Sequence, residues 1–281
     1  MTFRTRRDAL RLILTGSNCV RPGSVYDAIS IRIAEDVGFE IGMFGGSVAS
    51  LAVLGDPDIV LITLTELAEQ MRRMSRASAL PVLVDALNVR RTVQELEAAG
   101  AAGLTIEDTL LPQAFGQSAT QLISLEEGVG KMKAAVEARS DAALVIMGRT
   151  GAVSVTSLED AIARAIAYEA TGVDALFFTG IKTHAELDAI SVATKLPLVM
   201  GGLPEDMMDL DYLANKRVRI ALQGHAPISA ATQAVYETLK ALREGTPPKD
   251  LKALSSSDLT GRVTRDAEIK AHAREFLGSR K

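Results

Sequence analysis

The 281-residue chain is 47% hydrophobic and 23% charged, and its 31 Lys and Arg residues are nearly balanced by 35 Asp and Glu residues. This composition is typical of a globular protein with a substantial core. The sequence contains no dense block of basic residues that would indicate a nucleic-acid partner. No segment approaches the ~20 consecutive apolar residues that a membrane span requires. The one cysteine, Cys19, excludes an internal disulfide and a thiolate metal cluster, so we expect a cytoplasmic protein.

Short apolar runs alternate with amphipathic segments along most of the chain, after a first predicted helix at 7–14. Strands are predicted, in chain order, at 19–21, 41–47, 81–85, 103–108, 144–149, 175–180, 197–202 and 217–224. The helices between them include 26–37, 88–99, 157–170 and 183–194. Eight β-then-α units of this length predict an α/β fold of the (β/α)₈, TIM-type barrel class.

An open doubly wound sheet is the alternative, but the glycine-rich fingerprint that usually follows its first strand is absent here. We therefore assign 1–245 to a barrel domain that carries the catalytic site. Residues 246–281 form a connector containing Pro and Ser and a last helix at 264–276. This tail is either a surface appendage or, as an amphipathic helix outside a closed barrel, a contact between subunits.

Polar residues follow several of the predicted strands, where barrels of this type place their active sites. They are Gly45, Gly46, Ser47, Asp85, Glu107, Asp108, Arg149, Gly224 and His225. We expect these residues to converge on one face of the barrel. Two acidic strand ends, one guanidinium, one imidazole and a Gly-Gly-Ser segment fit an anionic substrate that is chelated by a metal ion.

Each of these residues also has a purely structural interpretation. Asp85 can cap the helix that follows it. Glu107 and Asp108 can be loop carboxylates, although carboxylates that end neighbouring strands repel unless a cation lies between them. A hard divalent ion such as Mg²⁺, which binds oxygen ligands and retains several waters, resolves that repulsion.

The same two interpretations apply to the remaining strand-end residues. Arg149 either forms a structural salt bridge or binds a substrate carboxylate with its planar fork. Gly46 and Ser47 either form a turn or expose backbone N–H groups to an oxyanion. His225 is the one histidine predicted to follow a strand.

Five stretches, in this order and spacing, carry a family resemblance. They are FGGSVASLAVLG, LPVLVDA, LTIEDTLLPQAFG, IMGRT and LQGHA. Together they resemble the isocitrate lyase and phosphoenolpyruvate mutase superfamily over 21–242, and within it the bacterial oxaloacetate decarboxylases. The resemblance implies an Mg²⁺-dependent barrel that binds keto or hydroxy dicarboxylates, acts through metal-bound enolates, and forms a homotetramer, a dimer of dimers, with a C-terminal helix exchanged between subunits.

The resemblance also implies roles for individual residues. Asp85 is expected to bind Mg²⁺, or Mn²⁺ as a substitute, directly, and Glu107 and Asp58 through water. Ser47 and the backbone of Gly46 are expected to hold the substrate's carboxylate and nascent oxyanion. The catalytic and substrate-binding set is completed by Arg149 and His225.

Departures from the family pattern narrow the reaction. Isocitrate and methylisocitrate lyases carry a Lys-Lys-Cys-Gly-His loop after the fourth strand, whereas LLPQAFGQSATQLIS here contains no Cys, Lys or His. In the lyases, the Cys of this loop protonates the product enolate. Decarboxylation of oxaloacetate to pyruvate and CO₂ needs less apparatus and no general base, so a carboxy-lyase is expected. Gly201 and Gly202 stand where the decarboxylases place an aromatic residue, which leaves open a lyase for a bulkier substrate, such as dimethylmalate or methylisocitrate, or a catalytically silent barrel.

A second departure follows the third strand. The family usually continues as Asp-Ala-Asp and then Gly-Tyr-Gly-Asn, whereas here Asp85 and Ala86 run directly into Leu87. A strand normally needs a few residues to turn into a helix. We therefore predict that about seven residues of a mobile loop belong between Ala86 and Leu87 in the intact protein.

Overall fold

A computed structural model describes residues 2–58, 62–86, 89–113, 115–117 and 119–278. Within these residues, one parallel sheet contains eight strands that lie side by side in chain order. They are β1 (Gly23–Ser24), β2 (Gly42–Phe44), β3 (Val82–Ala86), β4 (Gly103–Glu107), β5 (Val145–Thr150), β6 (Ala175–Thr179), β7 (Leu198–Gly201) and β8 (Val218–Ala221). This topology is that of a (β/α)₈ barrel.

Backbone hydrogen bonds close the sheet between its last strand and the segment before β1. The N–H of Val20 donates to the carbonyl of Arg219 at 2.9 Å, and the N–H of Ala221 donates to the carbonyl of Val20 at 3.0 Å. The segment that leads into β1 therefore pairs with β8 and closes the sheet, and the predicted TIM-type fold is confirmed.

One helix, α1, precedes the first strand, and the other helices follow it along the chain. They are α1 (Phe3–Thr15), α2 (Ala28–Asp36), α3 (Gly46–Val53), α4 (Leu64–Ala77), α5 (Arg90–Ala99), α6 (Leu125–Ala138), α7 (Ala152–Val155), α8 (Leu158–Glu169), α9 (His184–Ala193), α10 (Leu210–Asn215), α11 (Ala226–Arg243), α12 (Ser257–Val263) and α13 (Asp266–Leu277). In the part of the chain that the structure describes, none of them is long and apolar enough to cross a membrane.

The first strand differs from its predicted position at 19–21. Val20 forms only an isolated bridge to β8, and regular pairing with β2 begins at Gly23. Pro22 separates the two, and because proline has no backbone N–H it interrupts the hydrogen-bond ladder. The eighth strand is likewise shorter than predicted and ends at Ala221, so His225 lies at the N-cap of α11.

The barrel interior is closed at the amino ends of its strands by α1. Leu10 and Leu14 of this helix are buried in the interior cluster. Arg7 and Arg11 donate to the carbonyls of Ala101 and Ala143, just before β4 and β5. Since α1 covers the amino ends of the strands, the carboxyl ends are the side left for a binding site.

Alternation along each strand decides which side chains face the interior. Val145 and Met147 of β5 belong to the interior cluster, whereas Leu144 and Ile146 pack between the sheet and the helices. Successive side chains of a strand point to opposite faces, so Arg149 shares the inward face with Met147. The same alternation turns Asp85 inward, two residues after the interior residue Leu83.

The tail contains a helix that the sequence did not reveal. The segment predicted as connector includes α12, whose N-cap Ser256 accepts from the N–H of Leu259. This helix packs on α2 of the same chain, where Arg262 pairs with Asp36 at 3.1 Å. The predicted last helix is present as α13, shifted by one or two residues from 264–276.

Candidate active site

A cavity of about 670 Å³ opens at the carboxyl ends of the strands. The site residues predicted from the sequence that line it are Gly46, Ser47, Asp58, Asp85, Arg149 and His225. Glu107 lines an adjoining cavity of about 280 Å³ that shares Asp58, Asp85 and Arg149 with the first. The structure thus brings these predicted site residues together at one end of the barrel.

An ion-pair layer lies on the inward faces of β3, β4 and β5. Nη1 of Arg149 contacts Oδ2 of Asp85 and lies 3.2 Å from Oε2 of Glu107. Thr105, fully buried two residues before Glu107, donates its hydroxyl to Oδ1 of Asp85. The strand register pairs Glu107 with Arg149 and Asp85 with Thr105, so the layer follows from the alignment of adjacent strands.

Asp108, by contrast, faces away from the cavity. Its Oδ2 accepts from Nη1 of Arg164 at 3.0 Å and from the hydroxyl of Tyr168 at 2.7 Å, and the residue is fully buried. Because Asp108 is adjacent to the inward-facing Glu107, period-2 alternation turns its side chain toward the helices. The expectation that both carboxylates converge on the site is therefore wrong for Asp108.

Burial makes Glu107 a weaker acid than an exposed glutamate. Loss of hydration raises its pKa from 4.5 to about 7; Arg149 opposes this change and Asp85 adds to it. The carboxylate therefore carries a free-energy cost near neutral pH that a cation close to it would reduce.

This shift predicts how the stability of the metal-free protein depends on pH. Between pH 4.5 and about 7, folded Glu107 retains a proton that the unfolded chain has released, so the unfolding free energy falls as the pH rises. Glu107→Gln should remove that fall and gain roughly 2 kcal/mol relative to the parent between pH 5 and pH 8. Urea unfolding in the presence of chelator measures both proteins, and a difference that stays constant across this range would contradict the assignment.

Gly46 and Ser47 occupy the start of α3 rather than a simple turn. Gly45 is the N-cap, and Gly46 and Ser47 are the first two helical residues. The first N–H groups of a helix have no acceptor within it and carry partial positive charge. At this point in the cavity they are suited to bind an anionic oxygen.

His225 is held between two residues that line the same end of the barrel. Its Nδ1 lies 2.8 Å from the hydroxyl of Ser24, and its Nε2 would be 3.0 Å from a Cβ atom placed on Gly45. Burial lowers the pKa of His225 below 6.5, against the opposing effect of Asp85 and Asp58. Burial therefore favours the neutral imidazole, which can donate from only one nitrogen.

Gly45→Ala tests the close approach of the His225 ring. The backbone at residue 45 is extended, with φ −84°, so alanine introduces no backbone strain and only displaces the imidazole. A displacement of a few tenths of an ångström should lower kcat/KM about tenfold. Steady-state kinetics measures the change in kcat/KM, and a thermal melt measures whether the fold is retained. An unchanged kcat/KM, or a large fall in the melting temperature, would contradict an effect confined to the imidazole. Gly55→Ala is not a suitable control, because φ at residue 55 is +74° and alanine would be strained there.

An aromatic ring borders the glycines at the end of β7. A Cβ atom on Gly201 would lie 2.9 Å from Cε2 of Phe177, so the ring of this β6 residue takes the space of a side chain at residue 201. Cζ of Arg149 lies 5.3 Å from the centre of the same ring. An aromatic ring from the neighbouring strand thus lies beside the glycines that end β7.

Sequence reasoning missed Ser24, Thr105 and Phe177. Thr105 and Phe177 lie on the inward faces of strands that were predicted, two residues before Glu107 and Thr179 respectively, so period-2 alternation contained a signal for both. Ser24 follows a first strand that was predicted in the wrong place, and its partner is 201 residues away in the sequence.

The donor set of the site fits a divalent cation. Three carboxylates, from Asp58, Asp85 and Glu107, line the smaller cavity, and Arg149 supplies one positive charge among them. Within the described residues, no three His, Cys, Asp or Glu side chains form a ready coordination shell. An ion that retains several waters and takes few protein ligands, as Mg²⁺ does, suits this arrangement of oxygen donors.

The fold and this site define a class: a (β/α)₈ barrel with carboxylates, an arginine and a helix N-terminus at the carboxyl ends of its strands, as in enzymes that act on small anions. The family model described as phosphoenolpyruvate phosphomutase matches residues 10–243. The chain belongs to this family.

Full-length relatives refine the comparison. A protein of Bradyrhizobium diazoefficiens named oxaloacetate decarboxylase is 74% identical to this chain, and the alignment covers 100% of both proteins. A protein of the same name from Rhodopseudomonas palustris is 68% identical over 100% of both chains. Among solved structures, a phosphonopyruvate hydrolase in complex with oxalate and Mg²⁺ has a TM-score of 0.85 at 26% identity, covering 99% of this chain and 100% of that one.

The first of these alignments is longer than this chain. It spans 288 positions and covers 100% of this 281-residue chain, so about seven positions have no residue here. The predicted break between Ala86 and Leu87 adjoins residues 87–88, which lie outside the described residues. The full sequence has 281 residues and joins Ala86 directly to Leu87, so the prediction of about seven further residues at this point is wrong.

Proposed function

We propose that this protein is a carboxy-lyase that converts oxaloacetate to pyruvate and CO₂, with a divalent cation bound at Asp85. The observation that carries the proposal is the 74% identity, over complete length, with a relative named oxaloacetate decarboxylase. The geometry of the cavity supports it, because groups for two anionic substrate ends lie within one site.

The carboxylates of the site would hold the cation. Asp85 would bind Mg²⁺ directly, and Glu107 and Asp58 would bind it through water. When bound, Mg²⁺ acts as a Lewis acid that withdraws electron density from the substrate's oxygens. Mn²⁺ also prefers oxygen ligands and is expected to substitute for it.

The chain's own groups bind and orient the substrate. The N–H groups of Gly46 and Ser47, and the Ser47 hydroxyl, bind a carboxylate and the oxygen on which negative charge develops. Arg149 uses Nη1 for its contacts with Asp85 and Glu107, and its guanidinium has Nε and Nη2 as further donors. His225 donates a hydrogen bond to the substrate from the ring nitrogen that Ser24 does not contact.

Apolar side chains in the same cavity favour loss of CO₂. Met43, Phe177 and Leu222 line it beside the polar residues. A carboxylate against this wall is poorly hydrated, whereas neutral CO₂ is not penalised there. The electron pair of the breaking C3–C4 bond passes to the C2 oxygen, giving the enolate of pyruvate, and a proton added at C3 completes the product. No general base is required.

Product analysis tests this proposal directly. The purified protein is incubated with Mg²⁺ and, separately, oxaloacetate, 2,3-dimethylmalate and 2-methylisocitrate, and products are identified by NMR. We expect pyruvate and CO₂ from oxaloacetate, well above a blank containing Mg²⁺ alone, since the free cation also promotes this reaction. Oxaloacetate turnover no faster than the blank would refute the proposal.

Two alternatives predict different results in the same experiment. A carbon–carbon lyase would cleave 2,3-dimethylmalate or 2-methylisocitrate; the Phe177 ring beside Gly201 argues against the extra room that such substrates need. A catalytically silent barrel would convert none of them. Calorimetric titration of the protein with Mg²⁺ separates a silent but metal-binding barrel from one that has lost the metal site.

We infer a cytoplasmic homotetramer in which 1–245 forms the catalytic barrel and 246–281 exchanges its last helix between subunits. Apolar side chains support this on two exposed faces, Val235 and Leu239 of α11 and Ile269 and Phe276 of α13. Native mass spectrometry should show tetramers that Phe276→Asp dissociates; a monomeric parent protein would refute the assembly.

A further inference from the structure

The hydrogen bond between Ser24 and His225 links the first strand of the barrel to the loop after the last. The hydroxyl oxygen of Ser24 lies 2.8 Å from Nδ1 of the imidazole. Ser24 is 9% exposed and lies on β1, so its side chain is held by the sheet rather than by a mobile loop. The proposed function leaves this serine without a role.

The opposite edge of the ring faces the substrate cavity. Nε2 and Cε1 lie against Gly45, where an added Cβ would be 3.0 and 3.1 Å away, and both residues line the main cavity. His225 is also the N-cap of the 18-residue helix α11, whose positive end disfavours an imidazolium beside it. A neutral ring here has one N–H, and its position depends on which way the Ser24 hydrogen bond runs.

Electrostatics selects between the two tautomers. If Nδ1 carried the proton and donated to Ser24, the lone pair of Nε2 would lie in the negative field of Asp85 and Asp58, which line the same cavity and act on this imidazole, and of any anionic substrate. If Ser24 donates to Nδ1, the N–H of Nε2 faces those negative charges instead, which is attractive. A serine hydroxyl is able to donate in this way, since it is both donor and acceptor.

We propose that Ser24 is a positioning residue for His225: its hydroxyl donates to Nδ1, fixes the ring orientation, and keeps the Nε2–H directed at the bound anion. This inference deepens the proposed function, but its main test does not depend on turnover. Because the chain has three histidines, His184, His225 and His272, nitrogen-15 NMR resolves each ring, and His225→Gln identifies the relevant signals.

In the metal-free parent protein, the spectrum should show His225 as the Nε2–H tautomer with a hydrogen-bonded Nδ1 acceptor. Ser24→Ala should move the Nδ1 resonance to that of an unbonded nitrogen, and Ser24→Thr, which retains the hydroxyl, should restore it. Ser191→Ala is the matched control, because Ser191 is similarly buried and its hydroxyl donates to the carbonyl of Lys216, away from the site. It should leave the His225 signals unchanged.

Turnover gives the second readout. Ser24→Ala should lower kcat/KM for oxaloacetate about tenfold, and Ser24→Thr should recover most of it. A parent spectrum with the Nδ1–H tautomer, or Ser24→Ala signals identical to the parent's, would overturn the inference. If the spectra behave as expected but oxaloacetate is not decarboxylated, the positioning role stands and the proposed function fails.

Discussion

Asp85→Ala should abolish the Mg²⁺-dependent decarboxylation of oxaloacetate while the barrel remains folded. Asp85 is the proposed direct ligand, and water or a neutral side chain cannot replace its charge. The loss should exceed roughly 1,000-fold in kcat, because the Lewis acid stabilises the developing charge by several kcal/mol. Initial rates with Mg²⁺, corrected for the metal-only blank, measure it.

The fold should survive because Arg149 keeps a partner. Glu107 lies 3.2 Å from its Nη1 in the parent protein, so the guanidinium still has a carboxyl partner when Asp85 is replaced. The isosteric Asp85→Asn should be equally inactive, and Asp56→Ala, at an exposed residue outside the cavity lining, should be fully active. Activity that survives in Asp85→Ala, with or without excess chelator, would refute the role assigned to Asp85.

Arg149→Lys should lower kcat/KM for oxaloacetate about 30- to 1,000-fold, or roughly 2–4 kcal/mol, despite the conserved charge. The guanidinium reaches both Asp85 and Glu107 and lies over the Phe177 ring, and its planar fork can bind a carboxylate through two parallel hydrogen bonds. Lysine offers a point charge on a flexible stem and cannot satisfy these contacts together.

Arg139→Lys provides the matched control for this substitution. Arg139 is similarly buried and pairs with Asp174 at 2.6 Å, but it lies outside the cavity. Its replacement should leave kcat/KM unchanged. Oxalate, a planar mimic of the pyruvate enolate, should inhibit the parent competitively and Arg149→Lys more weakly. Near-normal turnover by Arg149→Lys, or no competition by oxalate, would contradict the proposed substrate contacts.

Local sequence patterns were enough to predict three of the residues at the carboxyl ends of the strands. Asp85, Glu107 and Arg149 were identified from the sequence because each ends an apolar run, and parallel strands present their carboxyl ends on one side. That inference needs no long-range contact. The start of the helix predicted at 183–194 is equally local, because Thr183 forms a capping box with Glu186, three residues further along the chain.

Other features required the folded chain. Glu107 and Asp108 are adjacent in sequence and chemically alike, and only the packing of β4 against the helices assigns one to the cavity and the other to Arg164 and Tyr168. The helix α12 also escaped prediction, because it is short and much of its stabilisation comes from packing on α2.

What the sequence by itself determined is the order of strands and helices, the family, and the chemical identity of the residues at the strand ends, because these depend on local periodicity, capping and motif spacing. Tertiary structure alone decided the contacts across the closed barrel. Ser24 meets His225 only because the sheet closes, and Phe177 occupies the space beside Gly201 only because β6 and β7 pair in a particular register. Such contacts join residues far apart in the chain, and no local pattern encodes their distance.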